Sequence, residues 1–187
     1  APLTHHRGGP VPQTRTGDWM QTYTGRQFWP LDPRPEEVDP RDIAHALAYQ
    51  CRYNGMTREH YSVAEHCLLM SWAVPVRDQL HALLHDATEA YIGDMIRPPL
   101  KNHVPAFRDI EDVVWKAIAE RFGISAQIPS SVHDADIRIC LDERAALLSE
   151  PPAPWDTEAL GTLGVDIGPL PPRRPSAATW TGCTACW

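Results

Sequence analysis

The chain has 187 residues, of which 43% are apolar, 22% charged and 8% aromatic, an ordinary globular composition whose length suits one domain, or one domain with tails. The 17 Lys and Arg against 24 Asp and Glu give a formal charge of −7, which argues against a nonspecific nucleic-acid binder, because that class needs a net basic face to displace counterions. No apolar run approaches the ~18 residues that span a bilayer, and three of the five cysteines, Cys51, Cys67 and Cys140, lie in apolar patterns and read as buried reduced thiols.

Residues 1–16, rich in Pro, Gly, Thr and His, predict a flexible arm with none of the hydrophobic stretch of a secretory signal, and the chain reads as cytoplasmic. Trp19 to Trp29 suits a short β-hairpin around Thr24-Gly25, where Gly25 supplies a positive φ. The proline-rich loop that follows ends in a helix start, with Asp39 as N-cap and Pro40 at the first helical position, where its missing N–H costs nothing. Ile43, Ala44, Leu47, Ala48 and Cys51 then repeat at helical spacing. A second helix over about 62–74 opens with a capping box, Ser62 and Glu65, and stops at Pro75. The third is expected over 76–91, with Leu80, Leu83, Leu84 and Ala87 as its apolar face. Gly93 and Pro98-Pro99 break the chain before a fourth helix, Pro105 to Phe122, that closes at Gly123. A fifth, Ser130 to Leu148, buries Val132, Ile137, Cys140, Leu141, Ala145 and Leu148.

Seven of the 19 prolines fall in 151–175, which excludes helices there and predicts a Pro-rich tail, 151–187, that wraps the surface or is partly disordered. Its terminal Cys183 and Cys186 form one CxxC, half of a zinc site and without the strand–helix context of a redox motif. The expected architecture is all-α: a compact helical bundle over 17–150 with a short N-terminal β-hairpin.

The residues that carry chemistry are His66, His85, Asp86, Glu89, Asp94 and Asp136. Ala82, Leu83 and Leu84 precede His85-Asp86, so an acid and an imidazole sit on the inward part of a helix, where they are costly without compensation. Glu89 follows at the helical separations that make side chains neighbours. The tight connection between the second and third helices packs them antiparallel and brings His66 opposite His85. Asp136, between Ala135 and Ile137, is another acid in an apolar setting. A lone histidine on an apolar face is more often a core residue, and a lone His-Asp pair says little; the whole constellation is far more restrictive. Two imidazoles and two carboxylates suit one divalent Mn, Co, Fe or Zn ion better than Mg, which prefers oxygen ligands. His81 and His85 are four apart, but Ala82 stands where an HExxH metalloprotease needs Glu.

These residues resemble the HD-domain phosphohydrolases, whose ligands are a His, a distant His-Asp pair and a later Asp. The match runs through EHCL at His66, HDATEAYIGD at His85 to Asp94, and HDADIRICLDE around Asp136. It is most similar to the small HD 5′-deoxynucleotidases and the phage-type deoxynucleoside triphosphate triphosphohydrolases, and covers about Trp19 to Leu148. Over Gln21 to Lys101 the chain looks like bacterial and phage-encoded members. The resemblance implies that His66, His85, Asp86 and Asp136 hold the metal. By the same likeness Glu89 orients or relays a proton for the attacking water, and Asp94 contacts the sugar hydroxyl. Arg52 would bind substrate, Tyr53 pack against the sugar and Lys101 contact phosphate. Met56 departs from the histidine common in similar chains, which weakens a polyphosphate or second-metal role, although a triphosphate substrate would suit a second ion. Lys101 follows a turn one residue longer than usual.

The expected reaction is hydrolysis of a phosphoryl group on a deoxynucleoside mono- or triphosphate. Arg52, Arg58 and Lys101 would neutralise its charge locally, despite the net charge of −7. The alternative is a catalytically silent HD scaffold that binds or senses a nucleotide. No nucleic-acid polymer or membrane partner is expected; a homo-oligomer is, with the Trp-rich ends as candidate contacts.

Overall fold

The computed structural model describes residues 14–96 and 100–168. The order is a two-stranded antiparallel hairpin followed by helices. Strands β1 (Met20–Gln21) and β2 (Gln27–Phe28) pair Met20 with Phe28, and Gly25 turns the chain at φ 84°. The helices are α1 (Pro40–Tyr49), α2 (Val63–Ala73), α3 (Gln79–Leu84), α4 (Glu89–Ile92), α5 (Pro105–Phe122) and α6 (Ser130–Leu147). The fold is all-α, with the hairpin its sole sheet among the described residues.

Helix starts follow local chemistry. Asp39 caps α1 by accepting the Arg41 amide at 2.9 Å, with Pro40 at the first turn. Ser62 and Glu65 form the reciprocal capping box of α2: Glu65 N–H donates to Ser62 Oγ at 3.2 Å and Ser62 N–H donates to Glu65 Oε2 at 2.8 Å. Gly123, left-handed at φ 66°, closes α5.

Helix α2 is apolar nearly all round and lies at the centre of the bundle, as such a helix must. On one side Val63, Cys67 and Leu68 join Phe28, Leu47, Leu84 and Ile118 in a core shared with α1, α3 and α5. On the other, Met70 and Val74 pack with Ala82, Val132, Ala135, Ile139 and Leu147 between α2, α3 and α6.

Three expectations are corrected. The single helix over 76–91 is broken: a 3-10 turn precedes α3, and 85–88 form turns before α4. There Ala87 N–H bonds Leu84 O at 2.8 Å and Glu89 N–H bonds Asp86 O at 3.0 Å, three residues back rather than four, so the backbone tightens where the His-Asp pair sits. In α6 Ala145 is exposed, and Glu143 occupies the buried stripe with Leu141 and Leu147. Over 151–168 the tail runs along the surface, most of its residues exposed, with a 3-10 turn at Glu158–Leu160 where no helix was expected. Asp142 accepts Leu163 N–H at 2.8 Å, Arg138 donates to Thr162 O at 2.6 Å, and Ile167 is buried against Met70 and Val132. Of the N-terminal arm, residues 1–13 lie outside the described residues, and Arg15 is anchored by Asp32 at 2.7 Å and Glu37 at 2.6 Å. Cys183 and Cys186 also lie outside them. Among the described residues no helix is long and apolar enough to cross a membrane.

Candidate metal centre

Three elements bring four potential donor side chains together. His66 comes from the first turn of α2 and is fully buried. His85 and Asp86 come from the tightened turn after α3, and Asp136 from the first half of α6. His66 Nε2 stands 3.2 Å from His85 Nε2, 3.4 Å from Asp136 Oδ1 and 3.7 Å from Asp86 Oδ2. His85 Nε2 is 3.2 Å from Asp86 Oδ2 and 3.7 Å from Asp136 Oδ1. Ligand atoms that share one ion at ~2.1 Å stand about 3.0–3.4 Å apart in tetrahedral or octahedral geometry, close to the spacing of His66, His85 and Asp136, whose donor atoms all lie within 4.8 Å of one another, while Asp86 adjoins them through the two imidazoles.

The tautomers fit the same reading. His66 Nδ1 donates to Glu143 Oε1 at 2.7 Å, and His85 Nδ1 donates to Ala82 O at 2.7 Å. Each Nδ1 proton is committed outward, so both Nε2 atoms face the carboxylate oxygens of Asp86 and Asp136. Such a concentration of carboxylates favours positive charge nearby, part of which Arg52 supplies at Asp86 Oδ2, 3.5 Å away. Burial works against charging His85, but Asp86 and the hydrogen bonds to Asp136 and Asp86 lift its pKa well above the ordinary imidazole value. Burial likewise opposes ionising Asp136, yet His66 and His85 hold it well below the usual carboxylate range. A second group, Cys67, His85 and Asp86, also lies within ligand reach. Its Cys67 Sγ meets His85 at Nδ1, 3.9 Å away on the side bonded to Ala82, and burial pushes that thiol up. The Nε2 side is therefore the one that could hold a cation.

No family model matches the chain. An uncharacterized protein of Rhodobacter capsulatus is 37% identical over 126 residues, 63% of this chain and 64% of that protein. The uncharacterized protein YfdR of Escherichia coli K12 is 34% identical over 129 residues, 69% of this chain and 72% of YfdR. The chain belongs to the YfdR family. It spans just under two thirds of the Rhodobacter relative's length, at 64%.

Around the donor cluster of this YfdR-family chain, three of the other expected residues gather. Arg52 reaches Asp86 Oδ2 at 3.5 Å and Glu143 Oε2 at 3.3 Å, and its buried Nε has no hydrogen-bond partner. Glu89 is buried with Oε2 unpartnered, and burial, then Asp86 and Asp94, push its pKa well above the ordinary value. Asp94, just past the Gly93 bend, is raised by burial and by Asp86, against the opposing pull of Arg52.

Tyr53 and the two further cations each have protein partners in the structure. Tyr53 turns its hydroxyl inward and donates to Glu143 Oε2 at 2.6 Å. Arg58 lies on the surface, its amide donating to Leu147 O at 2.9 Å and its guanidinium to Ala146 O at 3.0 Å. It caps the end of α6, whose last carbonyls lack helical partners, and so does not face the cluster. Lys101 is buried and ion-paired with Glu111 beside the Phe107 ring. That partner is absent from the sequence reading, and the Lys101 charge also acts on Asp94, opposing the rise of its pKa. Met56 is exposed.

Glu143 is the residue the sequence reading missed. Fully buried, it accepts from His66 and Tyr53 and pairs with Arg52. Burial alone would raise its pKa, but Arg52 and His66 hold it at about 2. Its spacing was the available signal: Asp136, Cys140 and Glu143 fall at i, i+4 and i+7, one face of α6.

Proposed function

We propose that the chain is a metal-dependent phosphohydrolase of the HD superfamily that acts on deoxynucleotides. The observation that carries this reading is the convergence of His66, His85 and Asp136, whose donor atoms lie within 4.8 Å of one another, with Asp86 in reach of both imidazoles. A mixed N/O set of this kind suits Mn, Co, Fe or Zn. A divalent ion there supplies an acidified water and offsets negative charge on phosphoryl oxygens.

The chain's own residues divide the remaining work. Arg52, fixed by Asp86 and Glu143, presents its unpartnered Nε–H and positive charge beside the cluster, where a phosphoryl oxygen needs a donor. Glu89 holds a proton at pH values where ordinary carboxyls have lost theirs, and its free Oε2 lets it accept or deliver one. Asp94 supplies an acceptor suited to a sugar hydroxyl. With Arg58 spent on α6 and Lys101 on Glu111, Arg52 is the cation in contact with the cluster. That charge supply favours one phosphoryl group over a triphosphate.

The test is product release from deoxy- and ribonucleoside mono- and triphosphates with Mn²⁺, Co²⁺, Zn²⁺ and Mg²⁺ in turn, beside Asp86→Ala. Orthophosphate from deoxynucleoside monophosphates, lost in Asp86→Ala, is the expected result. Intact triphosphate release would move the assignment to a triphosphohydrolase. No turnover with any metal by either protein would overturn the reading in favour of a binding scaffold.

A further inference from the structure

The segment between α1 and α2 is a closed loop with a strained entry. Its neck is an antiparallel bridge between Cys51 and Ser62, with Arg52 N–H bonded to Tyr61 O at 2.9 Å and Val63 N–H to Gln50 O at 3.0 Å. Immediately inside the neck, Tyr53, Asn54 and Gly55 are all left-handed, at φ 55°, 51° and 76°. Glycine takes this conformation freely and asparagine tolerates it, but a tyrosine there is an outlier that surrounding contacts must hold in place. What holds it is within reach: the Tyr53 hydroxyl on Glu143 at 2.6 Å, and at the far end of the loop Arg58 on the last carbonyls of α6.

Glu143 is thereby shared. Its Oε2 accepts from Tyr53 and faces Arg52 at 3.3 Å, while its Oε1 accepts from His66 Nδ1. A carboxylate free to rotate would present either oxygen, or none, to the imidazole. With Oε2 pinned, Oε1 is fixed against Nδ1, which keeps the His66 proton there and the Nε2 lone pair toward Asp136 and His85. We propose that Tyr53 and Glu143 are a positioning pair that presets His66 as a metal ligand, and that the left-handed turn exists to deliver the Tyr53 hydroxyl to that carboxylate. This rests on the metal reading above, and gives Tyr53 a task other than packing against a sugar.

Outer partners of this kind typically contribute ~10–100-fold to metal affinity. The test uses the metal alone, without nucleotide: chelator-competition titration of Mn²⁺ and Zn²⁺ into the full chain and into Tyr53→Phe, Glu143→Asp and Glu143→Gln. Tyr53→Phe keeps the ring and removes only the hydroxyl, so it guards against a Glu143 variant that fails to fold. The expected result is about tenfold weaker binding for Tyr53→Phe, about 100-fold for Glu143→Gln and an intermediate loss for Glu143→Asp, with wild-type circular dichroism throughout. Nitrogen NMR of the metal-free protein should find the His66 proton on Nδ1 in the wild type and divided between the two nitrogens in Glu143→Gln. Wild-type binding with unchanged affinity in the folded variants overturns the positioning pair alone. A wild-type chain that binds neither metal overturns the metal reading and this inference with it.

Discussion

Two sets of charged side chains were expected at one site, and they behave differently. His66, His85, Asp86 and Asp136 come from three separate elements and meet within 3.7 Å of one another along the measured pairs. Arg58 and Lys101, expected to receive phosphate, are instead bound to Ala146 O and Glu111. Side-chain reach explains the contrast. A short acid or imidazole reaches only what its own element carries it to, and His66, His85, Asp86 and Asp136 are carried toward one another. A long cationic side chain finds a carbonyl or carboxylate near its own backbone, and its position in sequence says little about where its charge ends up.

The sharpest way to break that comparison is to delete an inner residue. Asp86→Ala or His66→Ala should abolish metal binding and lower turnover on the order of 10³-fold or more, read by phosphate release and metal analysis. An outer residue that yields the same loss would erase the distinction. Glu89→Gln should cost about 10²-fold in kcat while leaving metal affinity intact, because it removes a proton carrier beside the cluster rather than a ligand.

Asp39 is a reference for a charge spent wholly on structure. Hydrogen bonds from the Arg41 side chain and backbone, against the cost of burial, lower its pKa from 3.8 to about 2. A depressed carboxyl stabilises the fold above its unfolded pKa and loses that contribution as pH falls toward about 2. Asp39→Ala should therefore cost about 1 kcal/mol at neutral pH, with the difference from wild type vanishing in acid, as measured by denaturant melts across pH. The smallest effect belongs to Arg58→Ala: a few tenths of a kcal/mol in stability from the lost cap on α6, and no change in metal affinity.

The helical architecture was legible because caps and apolar periodicity are local. Asp39-Pro40, Ser62 with Glu65, and Gly123 act where the sequence puts them. The four inner donors were legible for a second reason: buried acids and imidazoles stand out against apolar neighbours. The break after Leu84 was not, because Leu83, Leu84 and Ala87 keep helical periodicity through a stretch whose bonds shorten to three residues. Glu143 was hidden inside the run Asp142-Glu143-Arg144, which reads as a solvated face until α6 packs one side of it against His66. Tyr53 was hidden by its backbone, since nothing in RYNG announces a left-handed tyrosine.

The most direct test of the central claim is the number of divalent ions bound per chain at equilibrium, by dialysis of chelator-stripped protein against Mn²⁺ or Zn²⁺ followed by elemental analysis. One ion per wild-type chain, with none retained by Asp136→Ala or His85→Ala, is the predicted result. A wild-type chain that holds no ion, or variants that hold as much as wild type, would contradict a metal centre at His66, His85, Asp86 and Asp136.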